Sequence, residues 1–349
     1  MPTTSARHEI RASTSSAAED DLSALWRELA AETPAARAVM SNLVVFRERP
    51  EAEEVDVCAA LRDGLVVEVA RAHPSRVIVL VHARGNLECR TGLPAAVGIL
   101  TFGPEGARHA IEQIAVRSQG LEQSLPSIVR RLVLGDLPTS VWWLDDLSVR
   151  PPLAELATMG RQFVYDSREW RDVRGGLATV AALLEHRHAP DLADLNWRRL
   201  APLRQGVAHG LAAAGLVAAG PGRPGPGDAS AIEIRLQHAP GEEAAAWLMA
   251  GWLTSRLEPP AGPGLKVTVS PDAAAAQRMV IAVATAGTGG FTVTIDDHQV
   301  EAASPADQVP WQMAVAAERA ADAVAAELWT LGHDVALAGA VRAALARLD

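Results

Sequence analysis

The feature that most constrains the fold is an uninterrupted apolar run at residues 77–81, between Arg76 and His82. The run consists of valine, isoleucine and leucine, and most of these side chains are β-branched and favour strands. A strand without polar alternation is buried on both faces, which is typical of a parallel sheet covered by helices on both sides. We therefore predict an interior strand of a layered α/β structure here.

Further strand patterns alternate with helical patterns over the first two thirds of the chain. The predicted strands are residues 42–47, 97–102, 109–116, 139–144 and 162–166. The predicted helices are residues 55–72, 121–134, 153–159 and 176–186, with another beginning near Ala201. This alternation predicts an α/β domain with a layered, mostly parallel sheet.

A segment rich in glycine and proline, residues 220–227, marks the clearest boundary. After it, strand patterns at residues 231–237, 265–269, 279–284 and 291–295 accompany helices at 242–257 and 308–348, the last broken near Gly332. This order predicts a smaller α+β domain. The predicted division is a disordered N-terminal arm and helix at 1–40, the α/β domain at 41–218, a linker at 219–230 and the C-terminal domain at 231–349.

Composition narrows the functional classes. Apolar residues make up 49% of the 349 residues, so a large core is possible. The net charge of −10 argues against a general nucleic-acid binder, which needs a basic face. No apolar run reaches the roughly 20 residues that span a bilayer. We expect a cytoplasmic protein without nucleic-acid or membrane partners.

The two cysteines, Cys58 and Cys89, do not form a disulfide framework. Reduced thiols are the ordinary expectation in the cytosol, and a redox switch between the two is the alternative.

No common catalytic motif is present. The sequence lacks a phosphate-binding P-loop, a zinc-protease motif and a nucleophile elbow. A Gly-x-Gly-x-x-Gly pattern in the glycine- and proline-rich segment is interrupted by Pro221 and Pro224, so we do not read it as a dinucleotide site. His186 and His188 lack further ligands for a metal and are read as a solvated helix end. We predict no catalytic, cofactor or metal site.

Tryptophan and arginine provide the candidate binding residues. The chain has nine tryptophans but one tyrosine and four phenylalanines. Trp142 and Trp143 are adjacent on a predicted strand and must face opposite sides. Tryptophan and arginine are enriched in interface hot spots, so one of the two is a candidate for partner binding. The alternative is that helices of this chain cover both.

Two later groups extend the candidates. Asp166 and Ser167 follow a predicted strand at its carboxyl end, where α/β sheets present ligand-binding groups; a helix N-cap is the alternative. A second group consists of Trp197, Arg198, Arg199 and Arg204, whose arginines could meet acidic groups of a partner or lie solvated at the surface.

The loop at residues 103–109 contains two glycines and Arg108. Such a loop could hold a phosphate, and a hairpin connection is the alternative.

Several segments occur in a fixed order: residues 73–78, 112–114, 136–138, 142–143, 166–167, 195–204 and 250–257. In this order and spacing the chain resembles the glucose-6-phosphate dehydrogenase assembly protein family (OpcA). The resemblance implies a non-catalytic partner that binds glucose-6-phosphate dehydrogenase and promotes its assembly or activity in the oxidative pentose phosphate pathway.

Two alternatives remain open on the residues alone. One is an enzyme acting on a phosphorylated sugar, similar to a 6-phosphogluconolactonase. The other is a sugar-phosphate sensor without turnover.

Overall fold

The computed structural model describes residues 7–32, 35–49, 56–83, 93–104, 106–119, 122–216, 232–261, 264–285, 290–305 and 309–348. The predicted linker at 219–230 and Cys89 lie outside these residues. Within them, two sheets are packed with helices, and the α/β class is confirmed.

The larger sheet contains nine strands among the described residues. They are β1 (Arg7–Thr14), β2 (Ala36–Arg37), β3 (Ser41–Arg49), β4 (Ser75–Ala83), β5 (Pro94–Phe102), β6 (His109–Gln119), β7 (Thr139–Trp143), β8 (Gln162–Tyr165) and β9 (Asp191–Asp194). Their order is β1-β5-β6-β4-β3-β7-β8-β9, with β2 paired to β6.

The sheet is mostly parallel, as predicted. Strands β6, β4, β3, β7, β8 and β9 run parallel to their neighbours, and only the β1–β5 and β5–β6 pairs are antiparallel. All nine residues of β4 are buried, so the apolar run at residues 77–81 lies in an interior strand, as predicted.

The prediction of a disordered N-terminal arm is wrong for residues 7–14. Residues 7–14 form β1, which pairs with β5 over eight residues from Arg7 to Thr14. Its polar composition gives no apolar alternation, and the strand forms because a distant segment supplies its hydrogen-bond ladder.

The described helices pack on both faces of the larger sheet and on the smaller sheet. They are α1 (Ala18–Glu32), α2 (Val57–Ala60), α3 (Gly64–Ala72), α4 (Leu125–Leu132), α5 (Ala154–Ala157), α6 (Val173–Glu185), α7 (Leu195–Arg199), α8 (Ala201–Ala213), α9 (Glu243–Ala261), α10 (Ala320–Trp329) and α11 (Val335–Leu348). The single helix predicted at 55–72 is two helices, because the Asp63 side chain accepts hydrogen bonds from the backbone N–H groups of Leu65 and Val66 and begins α3.

The smaller sheet follows the order β11-β10-β12-β13-β14-β15. Its strands are β10 (Ile232–His238), β11 (Leu265–Pro271), β12 (Met279–Thr285), β13 (Phe291–Ile295), β14 (Gln299–Ala303) and β15 (Trp311–Ala314). Part of the region predicted as helix at 308–348 is therefore β15. The predicted break near Gly332 is confirmed by the interval between α10 and α11.

Two helices pack on the sheet that lies across the predicted linker. Helix α8, before the linker, packs on β13 and β14, and a side chain at Gly210 would meet the Phe291 ring at 2.3 Å. Helix α10, after the linker, packs against α3 on the larger sheet, where Val324 and Leu328 join its core. The predicted division of domains stays a prediction. Each sheet is packed by one helix from the other side of the predicted linker.

Candidate functional site

The carboxyl ends of β8 and β9 bring two sequence segments together. The strands are parallel neighbours, with Tyr165 opposite Asp194. Asp166 and Ser167 follow β8, and α7 begins directly after β9. We call Asp166, Ser167, Asp194, Asn196 and Arg199 the strand-end cluster.

Asp194 links the two strand ends. Its Oδ1 accepts hydrogen bonds from the backbone N–H of Asn196 at 2.9 Å and of Ser167 at 3.0 Å, so the carboxylate caps α7 and holds the turn after β8. Burial, with the neighbouring Asp166 carboxylate, raises the pKa of Asp194 to about 7. Its Oδ2 is buried and has no hydrogen-bond partner among the described residues.

Asp166 and Arg199 form a two-point ion pair. The Arg199 Nη1 and Nη2 atoms donate to Asp166 Oδ1 and Oδ2 at 2.9 and 2.7 Å. Asn196 Nδ2 donates to Ser167 Oγ at 3.1 Å. Three of the predicted residues, Asp166, Ser167 and Arg199, thus lie in this cluster. Asp166 pairs with Arg199, and Ser167 pairs with Asn196.

Trp197 of α7 and Arg204 of α8 contact each other. Trp197 is 3% exposed, and its Nε1 donates to Asp334 Oδ2 at 2.8 Å. The Arg204 guanidinium carbon lies 3.7 Å from the centre of the Trp197 ring, in a cation–π contact, and Nη1 donates to the Trp197 carbonyl oxygen at 2.7 Å. Burial lowers the pKa of Arg204 to about 10.

Arg198 connects this region to the C-terminal segment. Its Nε and Nη2 donate to the Glu318 carboxylate at 2.8 to 3.1 Å, and Nη1 donates to Glu327 Oε1 at 3.1 Å. The acidic groups expected on a partner are therefore supplied by this chain.

Trp142 and Trp143 face opposite sides of the larger sheet, as predicted, and both are covered. Trp142 is 2% exposed and lies in the core with α3 and α10, while Trp143 is 5% exposed in the core on the other face. The Trp143 ring stacks on Phe46 at 3.9 Å between centroids. Neither ring can reach a partner in this conformation.

A cavity of about 210 Å³ lies beside the strand-end cluster, bounded by β9, α7, the start of α8 and the connection between α10 and α11. Its polar walls are formed by Asp194, Trp197, Arg198, Arg204, Glu327 and Asp334.

A second cavity of about 260 Å³ is lined by residues of β3, β4, α2 and α3 and by Leu144, which follows β7. The strand order reverses between β3 and β7, and α/β sheets commonly bind ligands beside such a point. The wall of this cavity includes Arg47 and Asp63, which pair with each other at 2.7 Å.

The loop around Arg108 joins the antiparallel strands β5 and β6, as the hairpin alternative requires. A cavity of about 450 Å³ lies beside it, lined by Trp26, Arg108 and His109.

Sequence reasoning missed Asp194, Asn196 and the acidic partners Glu318, Glu327 and Asp334. The Asp-x-Asn pattern at Asp194 is a local helix-start signal that could have identified the first two. Nothing local identifies the three acidic residues, because they lie 120 to 137 positions from their partners.

Two features are absent from the described residues. No three histidine, cysteine, aspartate or glutamate side chains in this part of the chain are grouped so that they could hold a metal ion. In the same residues, no helix combines the length and apolar character needed to span a membrane.

Comparison with family models matches two consecutive regions. Residues 66–182 match the glucose-6-phosphate dehydrogenase subunit N-terminal domain, and residues 190–341 match the C-terminal domain of the same subunit. Together the two matches cover most of the chain, including the strand-end cluster.

Two curated proteins are similar to part of the chain. The putative OxPP cycle protein OpcA of Nostoc punctiforme is 25% identical over 193 residues, which is 55% of this chain and 39% of that protein. The protein of the same name from Synechocystis is 26% identical over 203 residues, 56% of this chain and 39% of that protein. The matched region thus spans about two fifths of each relative.

Among solved structures, UDP-N-acetylglucosamine 3-dehydrogenase GnnA from Acidithiobacillus ferrooxidans aligns in two crystal forms. The TM-scores are 0.34 and 0.33 at 12% identity, with coverage of 88% and 89% of this chain and 97% and 98% of that one. Scores of this size do not establish a shared fold.

Proposed function

This chain belongs to the OpcA family of glucose-6-phosphate dehydrogenase subunits, and from that premise we propose that it is a non-catalytic assembly factor and allosteric activator of glucose-6-phosphate dehydrogenase. The observation that carries the proposal is the match to both family domains in chain order. The names of the two curated relatives support a role in the oxidative pentose phosphate pathway.

Activation requires differential affinity. A subunit can shift an enzyme toward its active form only if it binds that form more tightly than the inactive one. The partner surface must therefore lie on groups that this chain leaves accessible, and not on the buried rings of Trp142, Trp143 and Trp197.

A non-catalytic role is supported by the burial of a serine–histidine group that could otherwise act as a nucleophile and base. A serine–histidine arrangement does occur, with Ser75 Oγ 3.0 Å from His73 Nδ1 and Ser41 Oγ 2.9 Å from Ser75 Oγ. All three side chains are at most 5% exposed, so a substrate cannot reach them. Burial also lowers the pKa of His73, which disfavours the charged form.

An accessible apolar surface lies at the end of α10 and the start of α11. Trp329 is 56% exposed, and its ring makes an edge contact with His73 at 4.8 Å between ring centroids. Leu331 is 36% exposed and Val335 is 70% exposed on the same connection. These residues are our candidate contact with the dehydrogenase, because tryptophan is enriched in interface hot spots and the family description names a subunit of that enzyme.

The test is a titration of the same organism's glucose-6-phosphate dehydrogenase with this protein, following NADPH formation across glucose 6-phosphate concentrations. We expect a saturable fall in KM or rise in kcat, together with co-elution of the two proteins on gel filtration. A flat titration without co-elution would contradict the proposal.

A phosphosugar enzyme or sensor is the second candidate, and the cavity beside Arg108 and His109 favours it. Hydrolysis of 6-phosphogluconolactone by the purified chain above the spontaneous rate would support the enzyme. Binding of a sugar phosphate without turnover, lost in Arg108→Ala, would support the sensor.

A further inference from the structure

One face of the smaller sheet is turned toward solvent. Helices α8 and α9 pack on the other face, where a side chain at Gly206 would meet Val293 and Val300. The alternate residues of the same strands point away from these helices and are exposed or half-buried. We call this surface the open face, and we define it by Arg235 of β10, Val280 and Ala282 of β12, Thr292 and Thr294 of β13, and Glu301 of β14.

The middle of the open face is uncharged. On the central strands β12 and β13, Ala282 lies opposite Thr292, and Val280 lies opposite Thr294. Thr292 is exposed and the other three side chains are half-buried. A solvated sheet face ordinarily carries polar side chains, whereas the centre of a protein interface is depleted in charged ones. The short, uncharged side chains here have the composition of an interface centre.

Charged side chains of opposite sign flank this middle. Arg235 on β10 and Lys266 on β11 are 66% and 68% exposed, and they share one carboxylate, Glu233, at 3.1 and 3.2 Å. That side of the open face is therefore net positive. Glu301 lies on the other side, on β14, where Gln312 Nε2 donates to its Oε2 at 2.7 Å. Among the described residues no cation pairs with Glu301.

This charge pattern is complementary to itself. In a twofold contact both copies use the same surface patch. A twofold axis that runs along the strands between β12 and β13 places β10 of each copy over β14 of the other, so that Arg235 faces Glu301 at two places. A twofold axis across the strands would instead place β10 over β10, and the positive side chains of the two copies would repel each other.

We propose that two copies of this chain pack together by their open faces, with Arg235 of each copy facing Glu301 of the other. Six strands about 4.8 Å apart make the face roughly 24 Å wide, and about five residues of each strand make it roughly 17 Å long. Two such faces cover about 800 Å² in projection, below the roughly 1,200 Å² at which stable complexes begin. The dimer therefore dissociates on dilution. This proposal does not rest on the action of the chain on a dehydrogenase.

The test is sedimentation velocity of the full chain over a range of concentrations at low salt. The average mass of the wild type should rise from 36.8 kDa toward twice that value as the concentration increases. Thr292→Arg places a long charged side chain in the middle of the open face, and its average mass should stay at 36.8 kDa. The control is Ala182→Arg, which adds the same charge at an exposed position of α6 and should dimerise like the wild type.

Exchanging the charges tests the proposed pair. Arg235→Glu alone and Glu301→Arg alone each place like charges opposite one another in the dimer, and each should raise the Kd by about tenfold or more. Combining Arg235→Glu with Glu301→Arg restores opposite charges at both places. The double variant should therefore recover most of the affinity that either single change removes. Circular dichroism checks that each variant is folded.

A wild type that stays at 36.8 kDa at every concentration would overturn the proposal without the use of any variant. So would dimerisation of Thr292→Arg equal to that of the wild type, or a double charge variant that recovers no affinity. A monomeric wild type whose Thr292→Arg variant loses its response in the dehydrogenase titration would assign the open face to that enzyme and exclude a second copy as its occupant. Dimerisation together with a flat wild-type titration would contradict the proposed function alone.

Discussion

The segment after β9 and the end of α10 both contain a tryptophan, and they differ in whether the chain covers it. Trp197 is 3% exposed, donates to Asp334 and carries Arg204 on its ring. Trp329 is 56% exposed and touches only the edge of His73 among the aromatic rings described. Trp197 thus connects distant segments of this chain, whereas Trp329 is accessible to a second protein. Residue type alone therefore does not identify an interface. A tryptophan is available to another protein only where side chains of its own chain do not cover it.

The largest effect should come from removing the covered ring. Trp197→Ala deletes a buried side chain and leaves Asp334 and Arg204 without their contacts, so we expect a loss of about 3–5 kcal/mol in the free energy of unfolding. Urea denaturation of the wild type and the variant measures it. A loss below about 1 kcal/mol would show that the contacts of Trp197 with Asp334 and Arg204 do not stabilise the fold.

Removing the exposed ring should affect partner binding instead. Trp329→Ala should leave the free energy of unfolding within about 0.5 kcal/mol, because the ring is mostly solvated. In the dehydrogenase titration it should weaken the apparent affinity by about 2 kcal/mol, as expected for a hot-spot residue.

Val149→Ala is the control, since Val149 is an apolar side chain with a similar exposure of 57% and lies outside α10 and α11 in the sequence. It should titrate like the wild type. Equal titration curves for Trp329→Ala and the wild type would show that the end of α10 does not contact the dehydrogenase. The proposed function itself would then be judged from the titration of the wild type alone.

The smallest expected effect is a dependence of stability on pH that comes from Asp194. The pKa of Asp194 is raised in the folded chain to about 7 from its ordinary value of 3.8, so protonation favours the fold. Stability from this group is lost as the pH rises through 7 and is fully present only below the unfolded pKa.

Between about pH 8 and pH 6 we expect the wild type to gain roughly 1 kcal/mol relative to Asp194→Asn, which cannot titrate. Thermal unfolding of both proteins across this range measures it. Parallel pH profiles would mean that Asp194 is already ionised or solvated in the folded chain. Trp329→Ala should keep the wild-type profile, since its site lacks this carboxylate.

Local pattern was sufficient for the interior of the larger sheet. Strands β3, β4, β7 and β8 were predicted within a few residues, because apolar and β-branched runs favour buried strands wherever they occur. The short or polar strands β1, β9, β14 and β15 were not predicted. Their residues carry little periodicity, and they become strands only because a neighbouring strand offers a hydrogen-bond ladder.

For the candidate site, the same division holds. The opposite orientation of Trp142 and Trp143 follows from the two-residue period of a strand. The meeting of Asp166 with Arg199 requires β8 and β9 to be parallel neighbours, which no local pattern states.

Residue order and side-chain period were enough to predict the α/β class, the interior strands and the family resemblance. Only packing determined which tryptophans are covered, which arginines pair with carboxylates of this chain, and which carboxylate oxygen is buried without a hydrogen-bond partner among the described residues. The physical reason is that burial and ion pairing depend on groups more than 100 positions apart, such as Arg198 with Glu318, which only packing brings within 3 Å.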